Sequence, residues 1–195
     1  NRLAAARLAR PLRAMATTPR TAAPGSYTYE WPRPGVTADV TLVAAPPAAP
    51  PSLCLIQRKH APGLGLYALP GGFIDLEEAP AAGAARELHE ETGVDVEVGE
   101  EGVLEPVGQP AGARAARQPL LSSSPSQAHG IPLTLVRAYN DEPGLPRDPR
   151  GWTITLAYAG VDRGGGAAAA AVAGDDAAAV AFHPIQSLPP LAFDH

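Results

Sequence analysis

Three carboxylates crowd one short stretch of this chain: Glu87, Glu90 and Glu91, at i, i+3 and i+4. On a helix that spacing sets all three on one face. Like charges so placed repel by roughly a few tenths of a kcal/mol per pair, so something must offset them. Either the face is simply solvated, or the oxygens hold a hard divalent cation such as Mg²⁺. The neighbours favour the cation. Gly71 and Gly72 come before the helix and let backbone approach a ligand closely, Glu78 lies at its start, and Arg86 sits beside the carboxylates.

The positioning element is a helix over 80–92. Pro80 suits the first turn, where its missing N–H is not needed, and Gly93 suits the position just past the end. Ala79 is a weak cap, and Gly83 costs about 1 kcal/mol against Ala, so tertiary contacts or metal must hold this helix. Alternating and β-branched runs predict strands at 36–43, 53–58, 66–69, 94–98 and 152–158, with weaker ones at 133–139 and 178–182. The 66–69 strand ends at Pro70-Gly71-Gly72, and 185–188 reads as a short turn. Residues 44–51 form a Pro/Ala loop, 106–130 a flexible insertion and 163–174 a low-complexity loop. Strands on either side of a central helix predict an α/β (α+β) sandwich. The expected organisation is a disordered arm over 1–26 and one domain over 27–195.

Composition limits the function classes. Net charge is −5, yet Arg2, Arg7, Arg10, Arg13 and Arg20 precede the first acid, Glu30. The rest is more acidic than the total, which argues against nucleic-acid binding. No apolar run spans a membrane. The Arg/Ala-rich, acid-free N-terminus resembles an organellar transit peptide, implying plastid or mitochondrion, and otherwise the location is cytoplasmic. Met15 as the true start is the competing reading. The single cysteine, Cys54, excludes an internal disulfide and reads as a small buried thiol. His60, His89, His129, His183 and His195 show no metal-ligand spacing.

The full spacing is Gly72, five residues, Glu78, seven residues, then Arg86-Glu87-Leu88-His89-Glu90-Glu91-Thr92-Gly93-Val94. It matches every position of the Nudix box, and the chain resembles Nudix hydrolases. That resemblance implies a strand–loop–helix within an α/β/α sandwich built on a mixed sheet. It implies Mg²⁺, with Mn²⁺ as a substitute, held by Glu87, Glu90 and Glu91 and a carbonyl of Gly71 or Gly72. Arg86 would orient the carboxylates and Glu78 would steady the loop through Arg86. Glu87, Arg86 and Glu91 are the implied catalytic set. The general base is either a box glutamate such as Glu87 or a loop acid among Asp141, Glu142, Asp148, Asp175 and Asp176.

Weaker motifs resemble the ADP-ribose pyrophosphatase-like group: Tyr27 to Pro34, Ile56 to Lys59, Arg147 to Thr153, and Leu188 to His195. The implied reaction cuts ADP-ribose to AMP and ribose 5-phosphate. Arg58 and Gly71 are candidates for the phosphates, and Trp31, Tyr29 or Phe73 for stacking on adenine, against plain rim packing. The resemblance also favours a homodimer. In relatives the Leu-Ala-Phe-Asp-His segment leads into a C-terminal helix, which is expected to be truncated here. Competing readings are hydrolysis of NADH, an oxidised nucleotide or a nucleotide sugar, and a non-catalytic nucleotide-sensing module.

Overall fold

The computed structural model describes residues 29–98, 130–142, 147–174 and 177–195. The chain divides into two units, Asn1–Arg33 and Pro34–His195. Of the first, the described part is 29–33, where the Arg33 guanidinium lies 4.0 Å from the centre of the Tyr29 ring and Trp31 is largely exposed.

The second unit is built on a mixed sheet. In chain order its elements are β1 (Gly35–Ala44), β2 (Ser52–Arg58), β3 (Tyr67–Ala68), β4 (Gly71–Phe73), α1 (Pro80–Thr92), β5 (Glu97–Val98), β6 (Pro132–Asn140), β7 (Thr153–Asp162), α2 (Gly166–Ala170) and β8 (Ala177–Pro184). The strand order is β3-β2-β1-β7-β6-β5, with β4 added to β1 and β8 to β2. β1 pairs parallel with β7 along its whole length, from Gly35 opposite Thr153 to Ala44 opposite Asp162. Its other partners, β2 and β4, are antiparallel. Among the described residues no helix is long and apolar enough to cross a membrane.

The period of two along β1 separates two environments. Ala38, Val40 and Leu42 are fully buried and join Ala84, Ala85 and Leu88 of α1 in the main core cluster. Thr37 and Asp39 point to the other face. Alanine supplies much of this core, so helix and sheet approach closely. A Cβ at Gly83 would lie 2.6 Å from Ile74 Cδ1, so packing accounts for a residue that weakens the helix locally.

α1 runs as expected from Pro80 to Thr92. It lacks a side-chain N-cap bond, and Gly93 ends it in the left-handed conformation, donating to the His89 carbonyl at 2.7 Å. Its last carbonyls find partners outside the helix: Val172 donates to Thr92 and Gly174 to Glu91, at 2.8 and 3.0 Å. The tertiary contacts that this helix requires therefore include the segment read as a low-complexity loop.

That segment differs from the expectation. It carries the short helix α2, because buried Asp162 accepts N–H groups from Gly164, Gly165 and Ala167 at 2.9, 2.9 and 2.7 Å and fixes its first turn. The β4 residues were read only as the place where the 66–69 strand ends. β4 pairs because the side chains it lacks leave room beside β1, with Gly72 opposite Ala38 and Gly71 opposite Asp39. The strand expected at 94–98 is reduced to Glu97–Val98, and Val94 packs in the core cluster without a strand partner among the described residues. β6 is longer than expected, at nine residues. The expected insertion at 106–130 lies outside the described residues except for Gly130, and the expected arm at 1–26 lies wholly outside them.

Candidate active site

Arg86 organises the carboxylates of α1. Its guanidinium donates to both oxygens of Glu78, at 2.8 and 2.9 Å. It also reaches Glu87 at 2.9 Å and Glu90 at 3.0 Å, and the carbonyl of Phe73 at 3.0 Å. Glu78 in turn accepts the backbone N–H of Asp75 at 2.9 Å. One planar cation thus ties the loop before the helix, the end of β4 and two helix carboxylates together. The Arg86 hydrogen bonds hold the Glu78 carboxyl below its ordinary range. Burial pushes Glu87 the other way, upward, and Arg86 only partly counters it.

Glu91 behaves differently from its neighbours. The spacing put Glu87, Glu90 and Glu91 on one face opposite Leu88, but Glu91 is 7% exposed while the Glu90 side chain is 50% exposed. Glu91 turns inward under β4 and accepts the Gly71 N–H at 2.9 Å. Gly72 completes the approach: a Cβ there would fall 2.6 Å from the Glu87 carboxyl carbon. Arg86 and Gly71 are therefore the carboxylates' partners in this arrangement. Among the described residues no three His, Cys, Asp or Glu side chains converge in a metal-ligating group. In kind the donors suit a hard cation: three carboxylates beside a glycine backbone with no side chain in the way.

On the other side of β4 lies a small recess, open to solvent, with Gly71 and Gly72 in its wall. Asp39 and Thr37 of β1 line it, with Thr155 of β7, Arg58 of β2, and residues from 147–150 and 193–195. The Thr37 and Thr155 hydroxyls are hydrogen-bonded at 2.8 Å. Arg147 pairs bidentately with Asp194, at 2.5 and 3.0 Å. Arg150 pairs with Asp148, at 2.7 Å for its Nη2. His195 accepts the Leu69 N–H on Nδ1 at 3.1 Å, and its Nε2 is 3.7 Å from Asp39 Oδ2. Burial raises the Asp39 carboxyl to about 7 and lowers the His195 imidazole to about 4.

Of the residues singled out from the sequence, Gly71, Gly72, Glu78, Arg86, Glu87, Glu90 and Glu91 come together around β4 and α1, and Arg58 lines the adjoining recess. Phe73 is 44% exposed, with the Arg150 guanidinium 5.1 Å from its ring centre. Trp31 belongs to the first unit. Of the loop acids, Asp141 accepts the Arg147 N–H at 3.0 Å and Asp148 is held by Arg150. Glu142 is exposed, and Asp175 and Asp176 lie outside the described residues. Asp39, Arg147, Arg150, Asp194 and His195 were not singled out as site residues. Asp39 had one signal, an acid within a β-branched alternating strand. The others lay inside two segments noticed only as motifs.

The family model described as the NUDIX domain matches residues 35–119. A mutT/nudix family protein from Listeria innocua, of known crystal structure, is 30% identical with a TM-score of 0.55, over 84% of this chain and 88% of that one. An ADP-ribose pyrophosphatase of Methanocaldococcus jannaschii is 31% identical over 143 residues, 73% of this chain and 60% of the relative. The ADPR responsive transcriptional repressor NtrR of Acinetobacter baylyi is 30% identical over 131 residues, 66% of this chain and 37% of the relative. The chain thus spans less than two thirds of the length of either curated relative.

Proposed function

The chain belongs to the Nudix family, and from that premise we propose that it hydrolyses the pyrophosphate bond of a nucleoside diphosphate linked to another moiety. ADP-ribose, cut to AMP and ribose 5-phosphate, is the substrate we favour, on the likeness to the M. jannaschii pyrophosphatase. The observation that carries the reading is the gathering of Glu87, Glu90 and Arg86 beside Gly72, with Glu91 bonded to Gly71.

In this reading Glu87, Glu90 and Glu91, with a carbonyl of Gly72, hold Mg²⁺ or Mn²⁺. When bound, such an ion neutralises the pyrophosphate and stabilises charge on the attacking and leaving oxygens. Arg86 positions the carboxylates and Glu78 positions Arg86. Water adds to one phosphorus, the bridging P–O bond breaks, and the proton of the water passes to a carboxylate. We assign that role to Glu87, whose half-buried carboxyl lies against Gly72 beside the other helix carboxylates. The Arg-rich N-terminus supports a plastid or mitochondrial address, which an import assay would test.

The likeness to the A. baylyi repressor favours a second reading, a module that binds such a nucleotide without cutting it. One experiment separates the two: hydrolysis of ADP-ribose, NADH, 8-oxo-dGTP and a nucleotide sugar with Mg²⁺, for wild type and Glu91→Gln. The hydrolase reading requires AMP from ADP-ribose and a loss of at least about 100-fold in the variant, ~2.7 kcal/mol of barrier. A folded protein that binds ADP-ribose and cuts nothing would support the second reading.

A further inference from the structure

The backbone N–H groups on either side of Pro70 are both taken by side chains. Gly71 donates to Glu91 Oε2 at 2.9 Å. Leu69 donates to His195 Nδ1 at 3.1 Å, across 126 positions of sequence. Pro70 between them has no N–H to give. We infer that His195 is a positioning residue for the carboxylate site: it fixes the link from Leu69 to Gly72, so that Gly71 and Gly72 meet Glu91 and Glu87 in register. What those carboxylates do there rests on the hydrolase reading.

Leu69 and Pro70 lie between β3 and β4 and belong to neither strand. The Pro70 carbonyl accepts from Val40 of β1 at 2.8 Å, which holds the link on its acceptor side and leaves its donor side to His195. Without that acceptor the Leu69 N–H must find another partner, and the link shifts to reach one. The next residues have no slack to absorb a shift. A Cβ on Gly71 would fall 2.4 Å from both the Ala38 carbonyl and Asp39 Oδ1, and one on Gly72 would fall 2.6 Å from the Glu87 carboxyl carbon. Movement of the link therefore passes straight to the carboxylates, and a misplacement of about 1 Å can cost about 100-fold in rate.

His195 is itself held in place. The segment before it runs beside β3, where Leu191 bridges Tyr67 and Ala192 donates to the Tyr67 carbonyl at 2.7 Å. Arg147 grips Asp194 through paired hydrogen bonds. Burial lowers the imidazole to about 4, so at neutral pH the ring is uncharged and Nδ1 can accept. Accepting there places the ring proton on Nε2, 3.7 Å from Asp39 Oδ2. Asp39 Oδ1 in turn abuts Gly71, so one ring steadies both flanks of that glycine. A residue that only packed would need the bulk of the ring and not its acceptor, and the two roles can be measured apart.

The test compares wild type with His195→Leu, which keeps the bulk and removes the acceptor, and His195→Asn, which keeps an acceptor. Three quantities are read: amide hydrogen exchange by NMR without metal, Mn²⁺ affinity by electron paramagnetic resonance, and kcat and KM for ADP-ribose with Mg²⁺. His195→Leu, shown folded by circular dichroism, should exchange its Gly71 amide at least about 10-fold faster and bind Mn²⁺ about 10-fold more weakly. It should lose about 10- to 100-fold in kcat with KM within about twofold. His195→Asn should recover most of each loss. An asparagine variant as impaired as the leucine variant overturns the inference. So does a wild-type Leu69 amide that exchanges as fast as an exposed one, a result that decides even if His195→Leu does not fold. Unchanged kcat for His195→Leu in an active enzyme sinks the positioning role and leaves the hydrolase reading standing. A wild type that cuts nothing, while Gly71 exchange and Mn²⁺ affinity still follow residue 195, sinks the hydrolase reading and keeps the positioning role.

Discussion

Arg86 grips Glu78 with two parallel hydrogen bonds, Nε to Oε1 at 2.8 Å and Nη2 to Oε2 at 2.9 Å. The same guanidinium spends its remaining N–H groups on Glu87, Glu90 and Phe73. A lysine offers one compact charge and cannot reproduce that fork. Arg86→Lys should therefore lower the unfolding free energy by about 1–2 kcal/mol in urea, a figure reduced for partial exposure of the pair. A midpoint unchanged from wild type would mean that the fork contributes nothing to stability.

Neighbouring glycines should fail in opposite ways. At Gly71, φ is +156° and a Cβ would meet the Ala38 carbonyl at 2.4 Å. That oxygen is backbone and cannot step aside, so Gly71→Ala should cost about 3 kcal/mol of stability. At Gly72 the obstruction is the Glu87 carboxyl at 2.6 Å, the movable end of a side chain. Gly72→Ala should keep its melting temperature and lose about 100-fold in kcat, because Glu87 is displaced. Equal effects of the two substitutions on melting would refute the distinction.

Acid should loosen the C-terminal segment. Burial holds His195 at about 4, against about 6.5 for a free imidazole, so folding favours the neutral ring. Its contribution is full above about pH 6.5 and is lost progressively as pH falls toward 4, by ~3 kcal/mol at most. His195→Asn keeps an acceptor for the Leu69 N–H without titrating in this range. The variant should lose less melting temperature than wild type between pH 7 and pH 4.5. Parallel pH curves for the two proteins would show that His195 is not responsible.

Cys54 is fully buried, and burial, with Glu91 nearby, pushes its thiol up to about 12. Thiol reagents react with thiolate. Labelling at pH 8 should therefore follow global unfolding and speed up in urea. Rapid labelling of the native protein would mean that the β2 core opens locally.

The helix was legible from end to end because its signals are local: Pro80 opens it, Gly93 closes it, and the carboxylate spacing repeats at 3.6. β1 was legible because Val36 to Val43 alternate. What escaped the sequence depends on partners far along the chain. Whether Glu91 faces solvent or Gly71 depends on where β4 docks, and two glycines carry no periodicity to announce a strand. Asp162 could not be read as the anchor of α2, since its role needs the turn of the chain at Gly164 and Gly165. The recess was illegible for the same reason. Asp39, Arg147 and His195 meet only after strand pairing, and each taken alone is an ordinary polar residue.

The parallel pairing of β1 with β7 also sets a timetable. Thr37 and Thr155, bonded across 118 positions of sequence, cannot meet on the ribosome until β7 has emerged. Until then the edge of β1 that β7 will occupy has no strand partner. Closing so long a loop slows folding, yet its entropic cost grows only with the logarithm of length. The same geometry that makes assembly late therefore makes this chain tolerant of residues added between its two central strands.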